Sequence, residues 1–346
     1  MIRMMVALLL LVIFLTNAAM STRLDALRAV ESWIGSETDA DLSNVEVMEV
    51  SQGNCGLVLK RDLAPGENAL RIPRALCLSQ RDGPETEALP AAAKVALRLC
   101  AEFKMGGASR FAPYLESLPP IDAPIGWSDA EADMLLGSRA FQARRDLLEE
   151  WRRESQEEDF ELYAFCRAIV ASRTYELPDG IGPVLIPFLD LANHDDNNFL
   201  ALDVDVGDEG VVFALANDGD DVVKRGSPVK ANYQGGGPID PAKAIDIFGW
   251  IPVKDFCRIR NSFGELREYR PGDDLRGLSS DAREALRYCA FEALGGLDHF
   301  EANRKEALSR NSQNPRRRAF AMDVVQGEKN AWTALLATLQ VEEEDL

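Results

Sequence analysis

Hydrophobic positions change period several times along the chain. Leu24, Leu27, Val30, Trp33 and Ile34 recur at helical spacing behind Ser21 or Thr22 as N-cap, with Gly35 as a stop, and predict a short amphipathic helix. Strict alternation follows from Val45 to Val50. Two further apolar runs, Gly56 to Leu59 and Ala69 to Ile72, are separated by the turn sequence Ala64 to Glu67 and predict short strands. Short strands joined by tight turns argue against a parallel βαβ sheet. Between about Pro90 and Val170 the pattern is helical, strongest over Ala91 to Phe103 and Asp129 to Arg153, and the Pro- and aromatic-rich stretch from Arg110 to Trp127 is predicted as a loop. Val184 to Ala192 is an apolar run, Phe199 to Val206 and Val211 to Ala216 read as a hairpin, and Val229 to Tyr233 as another strand. Beyond Ser280 helix formers dominate, especially Ala282 to Leu294 and Glu328 to Leu339. The pattern predicts an α+β chain: a β domain interrupted by helices and followed by a helical tail.

The first nineteen residues differ from the rest. Arg3 precedes an uncharged run from Met4 to Leu15, which ends near Asn17, Ala18 and Ala19. The run is shorter than the roughly 20 apolar residues of a spanning helix, and its layout is that of a secretory signal peptide. The competing readings are a signal anchor, or a true start at Met20. A functional signal implies the secretory route or a plastid; a start at Met20 implies the cytoplasm.

Composition narrows the chemistry. The 346 residues carry 38 Lys and Arg against 57 Asp and Glu, a net charge of −19, which repels phosphate backbones and anionic headgroups and favours a cationic partner. Nucleic acid is not expected as a partner, nor a stable membrane span, and a monomer is expected. No two of the six cysteines, Cys55, Cys77, Cys100, Cys166, Cys257 and Cys289, lie within ten residues of each other, which removes CxxC zinc and redox motifs. With His194 and His299 as the only imidazoles, multi-His metal sites are nearly excluded.

Three stretches concentrate polar chemistry. The glycines of Gly53, Asn54, Cys55 and Gly56 suit a backbone loop that approaches a ligand closely, or simply a hairpin turn. Asp190 to Asp196 follows an apolar run and is the densest polar stretch; such groups satisfy neighbouring backbone or face a ligand. Reading its aspartates with Asp203 and Asp205 as a Ca²⁺ site fails on ligand order, so no metal is expected. Tyr233 precedes Gln234 and three glycines, as a ligand-facing residue or a rim aromatic would.

Taken in order, these stretches resemble the SET-domain methyltransferases, in the class of the Rubisco large-subunit lysine methyltransferase and the actin-histidine methyltransferase. Gln52 to Leu63, continuing to Pro73, is similar to that class's opening strand and hairpin. Phe111 to Pro119 and Trp127 to Glu131, leading to Leu136, Gly137 and Ser138, resemble the insert between the two SET halves. Ala171 to Tyr175, Ile186 to His194, Asn232 to Gln234 and Ile247 to Trp250 resemble the class's SRxF, DxxNH, SYG and YGF signatures. The helical tail resembles, more loosely, the class's substrate-binding domain.

The resemblance implies a SET β-fold of short strands with a pseudoknot over residues 20–252, interrupted by a helical insert at about 90–180, and an all-α domain over 253–346. It implies S-adenosylmethionine as methyl donor and a protein lysine, or a histidine, as acceptor. Gly53, Asn54, Cys55 and Gly56 would meet the cofactor's methionine end, Arg173 its carboxylate, and Asn193 and His194 its adenine. Asp190, Leu191, Ala192, Asn232, Gln234 and Trp250 would complete the binding site, with Trp250 packing on the adenine face. Tyr233 would be catalytic, holding the acceptor nitrogen in line with the methyl. A catalytically silent SET-like binding module is the alternative. Three departures stand out: Gln234 where the class has Gly, one extra residue in a loop that opens with Gln52, and Phe248 in place of Tyr.

Overall fold

The computed structural model describes residues 23–51, 54–80, 89–155, 159–177, 182–194, 203–206, 211–215, 222–231, 257–260, 266–269 and 280–344. They fall into two compact units. One comprises residues up to Pro120 together with Glu157–Gly237; the other comprises Ile121–Gln156 and Pro238–Leu346. Among the described residues no helix is long and apolar enough to cross a membrane.

In the first unit α1 (Arg23–Gly35) buries Leu27, Val30 and Ile34, the stripe its periodicity predicts. The antiparallel hairpin β1 (Val45–Ser51) and β2 (Asn54–Leu59) follows. Val45 and Val47 face the core while Met48 is 47% exposed, the period of two that a half-buried strand requires. The predicted turn forms at Ala64 to Glu67, where Glu67 N donates to Ala64 O at 3.1 Å and Gly66 takes φ +77°. Beyond it lie β3 (Asn68–Pro73) and the two-residue β4 (Leu78–Ser79).

Two helices continue this unit, α2 (Ala91–Met105) and α3 (Ala112–Ser117). The latter occupies part of the stretch predicted as loop: Pro113 is accommodated in its first turn, and Tyr114 and Leu115 are buried.

The predicted single helix over Asp129 to Arg153 is two helices in the second unit. The first, α4 (Asp129–Ala132), has a capping box between Ser128 and Glu131. A 3-10 turn and Gly137 at φ +81° separate it from α5 (Arg139–Glu154), which Ser138 caps. Gly137 is obligatory here, since a Cβ would stand 2.6 Å from the backbone oxygen of Gly296 as well as in a left-handed conformation.

The chain returns to the first unit with α6 (Phe160–Arg173), capped by Asp159. It runs directly into β5 (Thr174–Leu177) and then β6 (Gly182–Leu185), which lies between β4 and β5 in an antiparallel sheet. The apolar run to Ala192 is not one strand. Pro187 cannot donate to a ladder, Phe188 sits at φ 75°, and a 3-10 turn, Leu189–Leu191, follows.

The short β7 (Asn193–His194) comes next, then the predicted hairpin, β8 (Asp203–Val206) and β9 (Val211–Leu215), with β9 also paired to β3. Of the predicted strand Val229 to Tyr233, β10 (Lys230–Ala231) is described. The core of this unit joins Leu27, Val30, Val45, Leu57, Ile72, Val184, Ile186 and Leu189.

The second unit also contains the hairpin β11 (Cys257–Arg260) and β12 (Leu266–Tyr269), which the sequence reading missed. Its helices are α7 (Ser280–His299), α8 (Glu301–Arg310) and α9 (Pro315–Glu344). Trp127, Met134, Leu135 and Ala140 pack with Ala307, Ala321 and Val324. The Glu328 carboxylate of α9 accepts from the Arg139 amide at 2.9 Å, an anion at the positive end of α5. Residues 121–156, read from sequence as part of the insert in a first domain, therefore share their core with the C-terminal helices.

Candidate active site

The site is assembled in the first unit by one hairpin, one helix end and one turn. Residues 223 to 229 run beside β2: Leu59 N donates to Ser227 O at 3.0 Å and Val229 N to Leu57 O at 2.8 Å. This segment continues into β10, which pairs in parallel with β7, Lys230 opposite Asn193 and Ala231 opposite His194. The parallel pairing sets the Asn193–His194 segment beside the chain that leads one residue later to Asn232.

Gly56 makes that arrangement possible. A Cβ there would stand 2.7 Å from Asn193 Nδ2 and 3.3 Å from Val50 Cγ1, so the hairpin approaches the asparagine amide as closely as backbone allows. Cys55, beside it in β2, is a half-buried free thiol.

The second feature is a buried ion pair. Asp190 lies in the 3-10 turn with its side chain 2% exposed, and Arg173, the last residue of α6, places Nη1 3.0 Å from its Oδ2. Tyr114 of α3 donates its hydroxyl to the same Oδ2 at 3.0 Å. Tyr175 donates to the Leu189 carbonyl at 3.1 Å, and Asp190 N to Ile186 O at 3.1 Å, so the turn is fastened by backbone and side chains. Phe188, in the left-handed region and 1% exposed, sets the direction in which the chain enters it.

A further charge lies near the turn. Arg23, the first residue of α1, is within electrostatic reach of Arg173, Cys55 and Asp190; burial and the neighbouring Arg173 lower its pKa, against the opposing pull of Cys55 and Asp190. Among the described residues, Arg23 thus adds a second positive charge near the Arg173–Asp190 pair, a setting suited to an anion such as an amino-acid carboxylate. Tyr114 is held neutral: burial, then the Asp190 charge, push its hydroxyl well above the usual tyrosine range.

Of the residues singled out from sequence, Cys55, Gly56, Arg173, Asp190, Leu191, Ala192 and Asn193 lie in this region. Leu191 and Ala192 have their side chains in the core, so backbone is what they present to a ligand. Asn54 and His194 are placed by their backbone alone, and Gly53, Asn232, Tyr233, Gln234 and Trp250 lie outside the described residues. Sequence reasoning missed Arg23, Tyr114 and Tyr175 as members of the cluster. Arg23 carries no local signal, since its neighbours across the fold are tens of residues away; Tyr114 and Tyr175 stood in quoted motifs without a role.

No protein-family model matches the chain. A curated relative, the chloroplastic ribulose-1,5-bisphosphate carboxylase/oxygenase large subunit N-methyltransferase of Nicotiana tabacum, is 26% identical over 163 residues, covering 40% of this chain and 33% of its own length. The matched region thus spans about a third of that relative. Among solved structures, the SET domain of LSMT bound to lysine and AdoHcy superposes with a TM-score of 0.70 at 16% identity, covering 93% of this chain and 92% of the other. Rubisco LSMT bound to AdoMet superposes at 0.66 and 18% identity, covering 92% of each. Short antiparallel strands, the parallel contact of β7 with β10 and the helical C-terminal region together give this chain the SET-domain fold, in the form seen in the Rubisco LSMT structures.

Proposed function

We propose that this protein is an S-adenosylmethionine-dependent protein methyltransferase acting on lysine. The observation that carries the reading is the close packing of Gly56 on the Asn193 amide beside the Arg173–Asp190 pair. A hairpin packed this closely on an asparagine amide, next to the Arg173 guanidinium with Arg23 in electrostatic reach, fits a ligand with an amino-acid end and a hydrogen-bonding base. The tobacco relative is by name an N-methyltransferase, and the superposed structures are described as bound to AdoMet or AdoHcy.

When bound, the cofactor supplies a sulfonium-activated methyl group. In this reading Arg173 and Arg23 hold its carboxylate, the backbone at Cys55 and Gly56 lies along its methionine portion, and Asn193 with His194 meets its adenine. Tyr233 holds the acceptor nitrogen in line, while Asn232 and Gln234 complete the cofactor site and Trp250 packs on the adenine face. A protonated lysine has no lone pair, so an apolar channel that lowers the acceptor's pKa replaces a side-chain base. The chain's scarcity of histidine is compatible with that route, and its −19 charge favours a cationic substrate.

Titration calorimetry with S-adenosylhomocysteine tests the cofactor, and transfer of an isotope-labelled methyl group into lysate proteins, read by mass spectrometry, tests the acceptor. Binding with label on lysine is expected, together with loss of transfer in Tyr233→Phe. Absence of binding would overturn the reading; label on histidine would move the activity to the alternative acceptor. Binding with no transfer to any protein would leave a silent SET-like module.

A further inference from the structure

The Asp190 carboxylate has two donors on one oxygen, and they come from different elements. Arg173 reaches Oδ2 from the end of α6, and Tyr114 reaches it from α3, each at 3.0 Å. We propose that Tyr114 is a positioning residue of the cofactor site, its hydroxyl fixing the Asp190 carboxylate and, through it, the Arg173 guanidinium. The proposal rests on the methyltransferase reading of this site.

A carboxylate turns easily about its terminal torsion, which is broad and roughly two-fold. One guanidinium contact leaves that rotation available; a second donor on the same oxygen, arriving from another element, restricts it. An ionised carboxylate only accepts hydrogen bonds, so the Tyr114 hydroxyl is the donor. Its side chain is 1% exposed, which removes water as a competing partner. The helix that carries it also packs against α1, whose first residue is Arg23, so α3 braces the element that supplies the second guanidinium group. Tyr175 fastens the preceding carbonyl and leaves the Asp190 side chain to Tyr114 and Arg173.

The test is Tyr114→Phe, which keeps the ring and removes the donor. S-adenosylhomocysteine binding is expected to weaken about tenfold, the effect of losing a hydrogen bond to a charged group. The kcat at saturating cofactor is expected to stay within about twofold, because Tyr114 does not touch the reacting atoms. In an Asp190→Asn background the same substitution is expected to change binding little. Wild-type protein that binds no cofactor would remove the methyltransferase reading and this inference with it. Wild-type binding that persists unchanged in Tyr114→Phe, or an equal loss in the Asp190→Asn background, would overturn the inference alone. If Tyr114→Phe does not melt cooperatively, 3,5-difluorotyrosine at position 114 retains the shape with a more acidic hydroxyl. Because that hydroxyl is still a donor, binding at neutral pH should stay near wild type, and a loss as large as that of Tyr114→Phe would again overturn the inference.

Discussion

The most exacting residue in the site has no side chain. Gly56→Ala would place a methyl group 2.7 Å from the Asn193 amide nitrogen, which must turn aside, and 3.3 Å from the exposed side chain of Val50, which need give only a little. Overpacking of this kind costs about 1–3 kcal/mol, and the displaced amide is expected to weaken S-adenosylhomocysteine binding at least about tenfold; calorimetry and a melting curve on the same sample check both. Arg173→Ala acts in the opposite sense, by removing the charge beside a carboxylate that is 2% exposed. Breaking a buried pair from one side costs about 3–5 kcal/mol, so a lowered urea midpoint is expected, with Arg173→Lys in between. Both residues could be singled out from the sequence because they stand inside motifs. Arg23 stands in no motif, and Tyr114 stands in one that gives it no role at the site, since what brings each to the site is proximity to Asp190, 167 and 76 positions away along the chain.

Elements form where local chemistry agrees with the hydrophobic pattern, and break where backbone geometry overrides it. Ser128 and Glu131 cap α4 reciprocally: Glu131 accepts from Ser128 N at 3.0 Å, and Ser128 Oγ accepts from Glu131 N at 3.4 Å. Ser128→Ala is expected to cost about 1 kcal/mol, measured by denaturant unfolding. Burial alone would raise the Glu131 pKa, but hydrogen bonds from Ser128 and Arg317 outweigh it and hold the carboxyl below the usual range. A depressed folded pKa contributes stability above the unfolded value and loses it as pH falls through the folded one. The stability gap between wild type and Glu131→Gln is therefore expected at pH 7 and should narrow towards about pH 3, below the ordinary Glu range. The amphipathic pattern from Asp129 to Arg153 runs through the break at Gly137 because the break is imposed by Gly296, from a distant part of the chain. Likewise α3 forms in a Pro-rich stretch because Tyr114 and Leu115 have a core to enter.

At the scale of the whole molecule, net charge sets the response to salt. A charge of −19 repels itself, and the Debye length shrinks from about 30 Å at 0.01 M to about 8 Å at 0.15 M. The melting temperature is expected to rise over that range, while KM for a lysine-rich protein substrate also rises as attraction is screened; differential scanning fluorimetry and a methyl-transfer assay report the two effects separately. The sequence by itself determined the elements that periodicity and capping specify: α1, the β1–β2 hairpin, the β8–β9 hairpin and the long C-terminal helices. It also determined the order of motifs that resembles the SET class, because both are properties of neighbouring residues. Tertiary structure decided the grouping of residues 121–156 with the C-terminal helices, the parallel contact of β7 with β10, and the meeting of Tyr114 and Arg173 on Asp190 with Arg23 in electrostatic reach. Such features depend on which distant surfaces bury one another and which buried charges find partners, and these are long-range balances that no window of sequence contains.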